Sequence, residues 1–225
     1  MQEAVATKDK YKVIGPVYDL LSTLYSGRSI HNCKVAMLNP QHLQPGDRIL
    51  FAGVGHGKDA IHAAELGAQV TVVDLSETML RKFQEQLDRE NKQFRYPIRK
   101  LHLDIFKVDE AEQYDMVVAN FFLNVFSENM MKDVLRHLTS LAKPGGRIVV
   151  GDFTDTTGNL LSRLAKKAYW YVAVTLFWAM AKNAFHKIYN YPQYMEELGL
   201  TIEERKYFKL LNMDCYWSVL GRKPN

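Results

Sequence analysis

The segment "FAGVGHGKD", residues 51–59, sets the first constraint on the fold. Gly53, Gly55 and Gly57 stand at alternate positions, after an apolar run and before a segment of helical character. Glycine lets a backbone turn tightly and come close to a ligand, so the segment predicts a strand–turn–helix unit with something lying against its backbone. On the upstream side "DRILFA" reads as the strand. On the downstream side "KDAIHAAEL" reads as a short helix stopped by Gly67.

The same rhythm continues outward. "QVTVVD" is a second strand, and Ser76 stands as N-cap of "ETMLRKFQEQLDREN", whose Met79, Leu80, Phe83 and Leu87 recur at helical spacing. "IRKLHLD" and "YDMVVAN" read as the third and fourth strands. Ser127 is placed to cap "ENMMKDVLRHLTSLA", where Met131, Val134, Leu135, Leu138 and Leu141 form one apolar stripe. "KPGG" reads as a turn, "RIVVGDF" as a fifth strand, and "TIEERKYFK" and "CYWSVLGR" as two more. Strands alternating with helices predict an α/β fold, a mostly parallel sheet with helices on both faces. Ligands of such sheets lie beyond the carboxyl ends of the strands, so the informative residues are those just after each strand.

The bulk composition narrows the function. A chain of 225 residues suits one domain rather than two. The net charge of +4 is spread along the sequence, which gives no sign of a nucleic-acid partner but would assist contact with an anionic membrane surface. Cys33 and Cys215 are far apart and lack metal-ligand spacing, so they read as two reduced thiols in a cytoplasmic protein with no metal site. The charged start "MQEAVATKDKYK" has no apolar signal segment.

The glycine spacing discriminates among ligands. A nicotinamide or flavin dinucleotide motif, G-x-G-x-x-G, requires its third glycine where this chain has Lys58. Asp74 ends the second strand 21 residues after Gly53, where a carboxylate can accept hydrogen bonds from both ribose hydroxyls of any adenosine cofactor. In "HLDIF", Asp104 is placed to accept from an adenine amino group, with Ile105 beside the ring. Both aspartates are equally well placed as N-caps of the segments that follow them.

Taken in order, "FAGVGHGKD", "VVDLSETML", "HLDIF", "ANFFLNVF" and "LAKPGGRIVVGDF" resemble the class I S-adenosylmethionine-dependent methyltransferases. The likeness is to the ubiquinone/menaquinone-biosynthesis type and the bacterial phospholipid N-methyltransferases, and "GPVYDLLSTLYSG" resembles the segment that opens many of them. The resemblance implies a Rossmann-like seven-stranded sheet whose last strand is antiparallel. It also implies a single domain over 1–225, with a helical lid at 1–45 and an aromatic-rich helical insertion at 156–190 shaping the acceptor site. S-adenosylmethionine would be the cofactor and S-adenosylhomocysteine the product. Gly53 and Gly55 would meet the amino-acid part, Asp74 the ribose, Leu75 and Ile105 the adenine faces, and Asp104 the adenine amino group. Asn120 would lie near the methionine portion through its backbone, and Met79, Tyr18 and Tyr25 complete the cofactor set; Tyr18 and Tyr25 would serve equally as hydrophobic staples. One departure stands out: where the family has an acid two residues before the first glycine, this chain has Phe51.

The acceptor end is greasy. "AYWYVAVTLFWAMA", residues 168–181, would span about 21 Å as a helix, short of a roughly 30 Å hydrocarbon core, so it is not a membrane span. It reads as a buried core helix, or as the wall of an apolar pocket, or as an interfacial anchor. For the last, Trp170 and Trp178 are flanked by Arg163, Lys166, Lys167, Lys182 and Lys187, giving peripheral membrane contact through 160–187. "NAFHKIYNYPQY" supplies His186, Tyr189 and Tyr191 as candidate catalytic residues, His186 being the one that titrates near neutrality, although a surface histidine among lysines would look the same. The expected activity is methyl transfer to a small hydrophobic, aromatic or lipid-like acceptor at N, O or C. Two rivals remain: a non-catalytic cofactor-binding or membrane-associated protein of the same fold, and a nicotinamide-dependent oxidoreductase. Against the second stand Lys58 and the lack of a Tyr-x-x-x-Lys pair after the fourth or fifth strand.

Overall fold

The computed structural model describes residues 28–154 and 188–225 apart from 211 and 212, together with helical positions 164, 168 and 171. Helix α1 occupies residues 28–35 and is followed by turns. Then come β1 (Arg48–Ala52), α2 (Lys58–Glu65), β2 (Gln69–Asp74), α3 (Glu77–Glu90), β3 (Arg99–His102), β4 (Tyr114–Asn120), α4 (Glu128–Leu141), β5 (Ala142–Phe153), α5 (Tyr191–Glu197), β6 (Thr201–Leu210) and β7 (Met213–Arg222). The seven strands form one sheet in the order β3-β2-β1-β4-β5-β7-β6. Strands β1 to β5 pair in parallel, whereas β7 runs antiparallel to both β5 and β6.

The central strands are apolar on both sides because helices cover both faces. Ile49, Phe51, Val72, Val118 and Val149 pack with Phe83 in the layer beneath α2 and α3. Leu50, Val117, Ile148 and Val219 alternate to the other side and pack with Val134, Leu138 and Met195 of α4 and α5. Each such side chain, once fully buried, contributes roughly 1.5–3 kcal/mol relative to exposure. Strand order reverses between β1 and β4, which opens a crevice at their carboxyl ends.

Two local expectations differ from the structure. The "KPGG" segment is not a free turn: it lies within β5 as an irregularity, with Tyr114 opposite Ala142 and Met116 opposite Arg147, and Gly145 takes φ 70°. Ser127 holds the N-cap position of α4 but its side chain makes no capping bond, whereas Ser76 accepts from the Met79 N–H at the start of α3. Cys33 and Cys215 are free and buried.

Candidate active site

The crevice begins where β1 runs into its glycines. Gly53, Gly55 and Gly57 all have positive φ (76°, 50° and 67°), a conformation costly for any residue with a Cβ. Their surroundings differ. A Cβ on Gly57 would overlap the buried ring of Phe83, so this glycine lets α3 pack against the start of α2. A Cβ on Gly53 would lie 2.7 Å from Cδ2 of Phe122. At Gly55 a Cβ would meet, among the described residues, only the Lys34 ammonium, at 3.4 Å. Gly55 is therefore the point where a ligand can reach the backbone.

Asp74 locks this turn to the next strand. Its Oδ2 accepts from the Val54 N–H at 2.9 Å and its Oδ1 from the Ser76 N–H at 2.8 Å. A carboxylate oxygen has more than one lone pair, so ribose hydroxyls can still be received. Leu75, next in sequence, is 55% exposed, an apolar side chain presented to the crevice rim. Asp104 caps a 3₁₀ turn, Ile105–Lys107, through Oδ1 to the Phe106 N–H at 3.0 Å, leaving Oδ2 for another donor. Its capping role and a ligand role are thus compatible. Ile105 is buried beside it, and Phe106 is exposed. Met79 is only 6% exposed and packs in the core layer with Phe83.

Beyond β4 the chain turns sharply. Asn120, 8% exposed, donates from Nδ2 to Asp59 Oδ2 (2.9 Å) and to the Lys34 carbonyl (3.0 Å), while its Oδ1 has no partner. Phe121 is held at φ 53°, an uncommon conformation for a bulky residue. That kink sends the Phe121 ring toward Phe153 and Tyr216, at centroid distances of 5.7 and 5.8 Å, and the Phe122 ring toward Gly53 and Phe126.

At the end of β5, Asp152 is buried on the opposite face of the sheet. It accepts from Asn124 Nδ2 (2.7 Å) and from the Tyr191 hydroxyl (2.6 Å). Burial, and then the Asp152 charge, push the Tyr191 phenol well above its ordinary range. Tyr191 thus stands as a hydrogen-bond donor to Asp152. Tyr18, Tyr25 and His186 lie outside the described residues. Among the described residues no group of three or more metal-ligating side chains occurs, and no helix is long and apolar enough to cross a membrane.

Residues 50–148 match the family model described as a methyltransferase domain. The ubiquinone/menaquinone biosynthesis C-methyltransferase of Syntrophotalea carbinolica is 32% identical over 162 residues, 70% of this chain and 65% of that protein. These matches support a class I S-adenosylmethionine-dependent methyltransferase. Similarity extends to the ribosomal protein L11 methyltransferase of Listeria monocytogenes, 31% identical over 130 residues, 56% of this chain and 38% of that protein. This methyltransferase thus spans less than two thirds of the length of either relative. Magnesium protoporphyrin IX methyltransferase of Synechocystis PCC 6803, solved with bound S-adenosylhomocysteine, shares the fold at a TM-score of 0.69 and 20% identity, covering 96% of this chain and 100% of that one. Gly55, the unclaimed Asp104 Oδ2 and the exposed Leu75 all suit an adenosyl amino acid.

Four residues of this site were not singled out by sequence reasoning: Lys34, Asp59, Phe122 and Asp152. Asp152 sits just where a parallel sheet places its functional residues, at a strand exit, and Asp59 stands two residues after the last glycine of the run. Those positions were the available signal. Nothing in the sequence marks Lys34 or Phe122.

Proposed function

We propose that this protein transfers the methyl group of S-adenosylmethionine to a small acceptor with a substantial apolar portion, aromatic or lipid-like, at N, O or C. The observation that carries the reading is the set of aromatic rings beside the glycine turn. Phe122 lies against Gly53, and Phe121, in its strained conformation, meets Phe153 and Tyr216 edge to face. Such a lining favours an apolar acceptor over a sugar or a nucleic-acid backbone. One relative serves ubiquinone/menaquinone biosynthesis and one structural neighbour methylates magnesium protoporphyrin IX, which agrees with this choice.

In this reading Gly53 and Gly55 admit the amino-acid end of the cofactor and Asp74 holds its ribose. Leu75 and Ile105 flank the adenine, Asp104 receives its amino group, and Met79 packs beneath. Asn120 borders the methionine portion, and Tyr18 and Tyr25 close the site from the N-terminal lid. When bound, the cofactor supplies an electrophilic methyl group on a sulfonium. The chain's own task is to align the acceptor and exclude water, and its ring faces favour the sulfonium over the neutral thioether. Where the acceptor must lose a proton, His186 is the candidate base, and Tyr191 keeps Asp152 in position.

Peripheral membrane contact of a cytoplasmic enzyme belongs to the same reading. Leu164, Ala168 and Tyr171 are each helical and exposed, and Arg163, Lys166 and Lys167 stand beside them in sequence. The test is transfer of labelled methyl groups to a panel of prenylated hydroquinones, phenols and amphiphilic amines, alongside ribosomal protein L11. Label in the apolar acceptors supports the proposal. Label confined to the polypeptide, or absent while cofactor binds, refutes the acceptor class.

A further inference from the structure

Where its family carries an acid, at position 51, this chain buries a phenylalanine. Phe51 is 2% exposed and packs with Ile49, Val118, Val149 and Leu220, so that position is filled with hydrocarbon. The nearest replacement in the structure comes from the other side of the glycine turn. Asp59, in the first turn of α2, is 5% exposed and receives a hydrogen bond only from Asn120 Nδ2. It forms no ion pair among the described residues. A carboxylate so buried, with one amide donor and the N-terminal end of a short helix to stabilise it, has no cation in direct contact among the described residues. Asn120 adds a second unmet acceptor, its Oδ1 being buried without a partner.

A cation stands across the same turn, also without a carboxylate. The Lys34 ammonium lies 3.4 Å from the Cβ position of Gly55 and 5.8 Å from the centroid of the Phe121 ring, and it makes no ion pair among the described residues. The Asn120 amide ties these two elements together, since it donates both to Asp59 and to the Lys34 carbonyl. An acid with no ion pair and an ammonium with no ion pair among the described residues are thus joined through Asn120, and the ammonium stands beside Gly55, whose Cβ position meets no other described atom within 4 Å. That pattern is complementary to a zwitterion: an ammonium can take Asp59, and a carboxylate can take Lys34.

We infer that Asp59 and Lys34 hold the amino-acid end of S-adenosylmethionine, with Asp59 receiving the ammonium in place of the acid that Phe51 has displaced and Lys34 receiving the carboxylate. The inference rests on the cofactor reading of the glycine crevice. It names binding residues that the usual position of the acid would not have found.

The experiment is calorimetric titration of the full chain with S-adenosylhomocysteine and with 5′-methylthioadenosine, which keeps the adenosine and thioether but has no amino-acid portion. The wild type is expected to bind S-adenosylhomocysteine more tightly than methylthioadenosine. Asp59→Asn is expected to weaken S-adenosylhomocysteine tenfold or more while leaving methylthioadenosine within about twofold, the loss corresponding to one charge-assisted contact. Lys34→Gln, at a half-buried position, is expected to do the same and carries the test if Asp59→Asn does not fold. Unchanged S-adenosylhomocysteine affinity in the folded variants overturns the inference. Equal loss of both ligands also overturns it, since Asp59 and Lys34 would then act only as scaffold. A wild type that binds neither ligand overturns the cofactor reading itself, and is told apart because no variant is needed to see it.

Discussion

Gly57→Ala tests why the glycine motif has its third member. Two penalties follow from the structure. Residue 57 has φ 67°, and placing a non-glycine residue there costs about 1–2 kcal/mol. The new Cβ also overlaps the Phe83 ring, which is buried between α3 and the sheet, and overpacking of that kind costs about 1–3 kcal/mol. The sum is about 2–5 kcal/mol. For a chain of 225 residues the unfolding entropy is such that each kcal/mol moves Tm by about 2 °C, so a fall of about 4–10 °C is expected. Gly55→Ala is the internal control. It carries the same backbone penalty at φ 50°, but its Cβ meets only the end of Lys34, so it should lower Tm by about 2–4 °C while weakening cofactor binding. Both variants are measured by thermal unfolding without ligand, and Phe83→Leu is combined with Gly57→Ala to relieve the overlap. If Gly57→Ala costs no more than Gly55→Ala, or if the second substitution recovers nothing, the packing argument is wrong.

Three further outcomes are expected. Asp74→Ala should weaken S-adenosylmethionine binding about a hundredfold or more, through loss of two charge-assisted hydrogen bonds of about 1.5–3 kcal/mol each. Because the same carboxylate receives the Val54 and Ser76 N–H groups, it should also lower the unfolding midpoint, and unchanged affinity would remove the ribose assignment. Tyr191→Phe should cost about 1.5–3 kcal/mol of stability, the value of a hydrogen bond to the buried Asp152, yet leave the pH profile of methyl transfer in place; a lost ionisation in that profile would restore Tyr191 as a base. His31 titrates below the usual 6.5, chiefly because of burial and then Lys58, with Asp59 opposing the shift. Its folded pKa being lowered, the unfolded chain takes the proton first, and stability falls as pH drops below about 6.5. Urea midpoints at pH 7 and pH 5 should show a smaller difference in His31→Gln than in the wild type, and an equal difference would refute the assignment.

How much of this was legible from residues alone varies by element. The strands were, because parallel strands buried on both sides must be apolar throughout, as "ILFA", "VTVV" and "MVVA" are. The amphipathic helices α3 and α4 were too, since Met131, Val134, Leu135, Leu138 and Leu141 leave one apolar stripe. The "KPGG" segment misled because its glycines and proline allow a turn, while pairing of Ala142 with Tyr114 draws it into β5. At the site, Asp74, Leu75 and Asp104 were accessible through the rule that function follows strand exits. Lys34 and Asp59 were not, because their relation is made by Asn120 across three elements far apart in sequence. Tyr191 could be found but not assigned a role. Its burial against Asp152, to which its hydroxyl donates, is visible only in the structure.

The central claim is that the glycine crevice takes an adenosyl amino acid. Its most direct test is calorimetric titration of the purified chain with S-adenosylmethionine and S-adenosylhomocysteine, with NADH as control. The account predicts micromolar binding of both adenosyl compounds, lost in Asp74→Ala, and no binding of NADH. Binding of NADH in preference, or of none of the three, would contradict it.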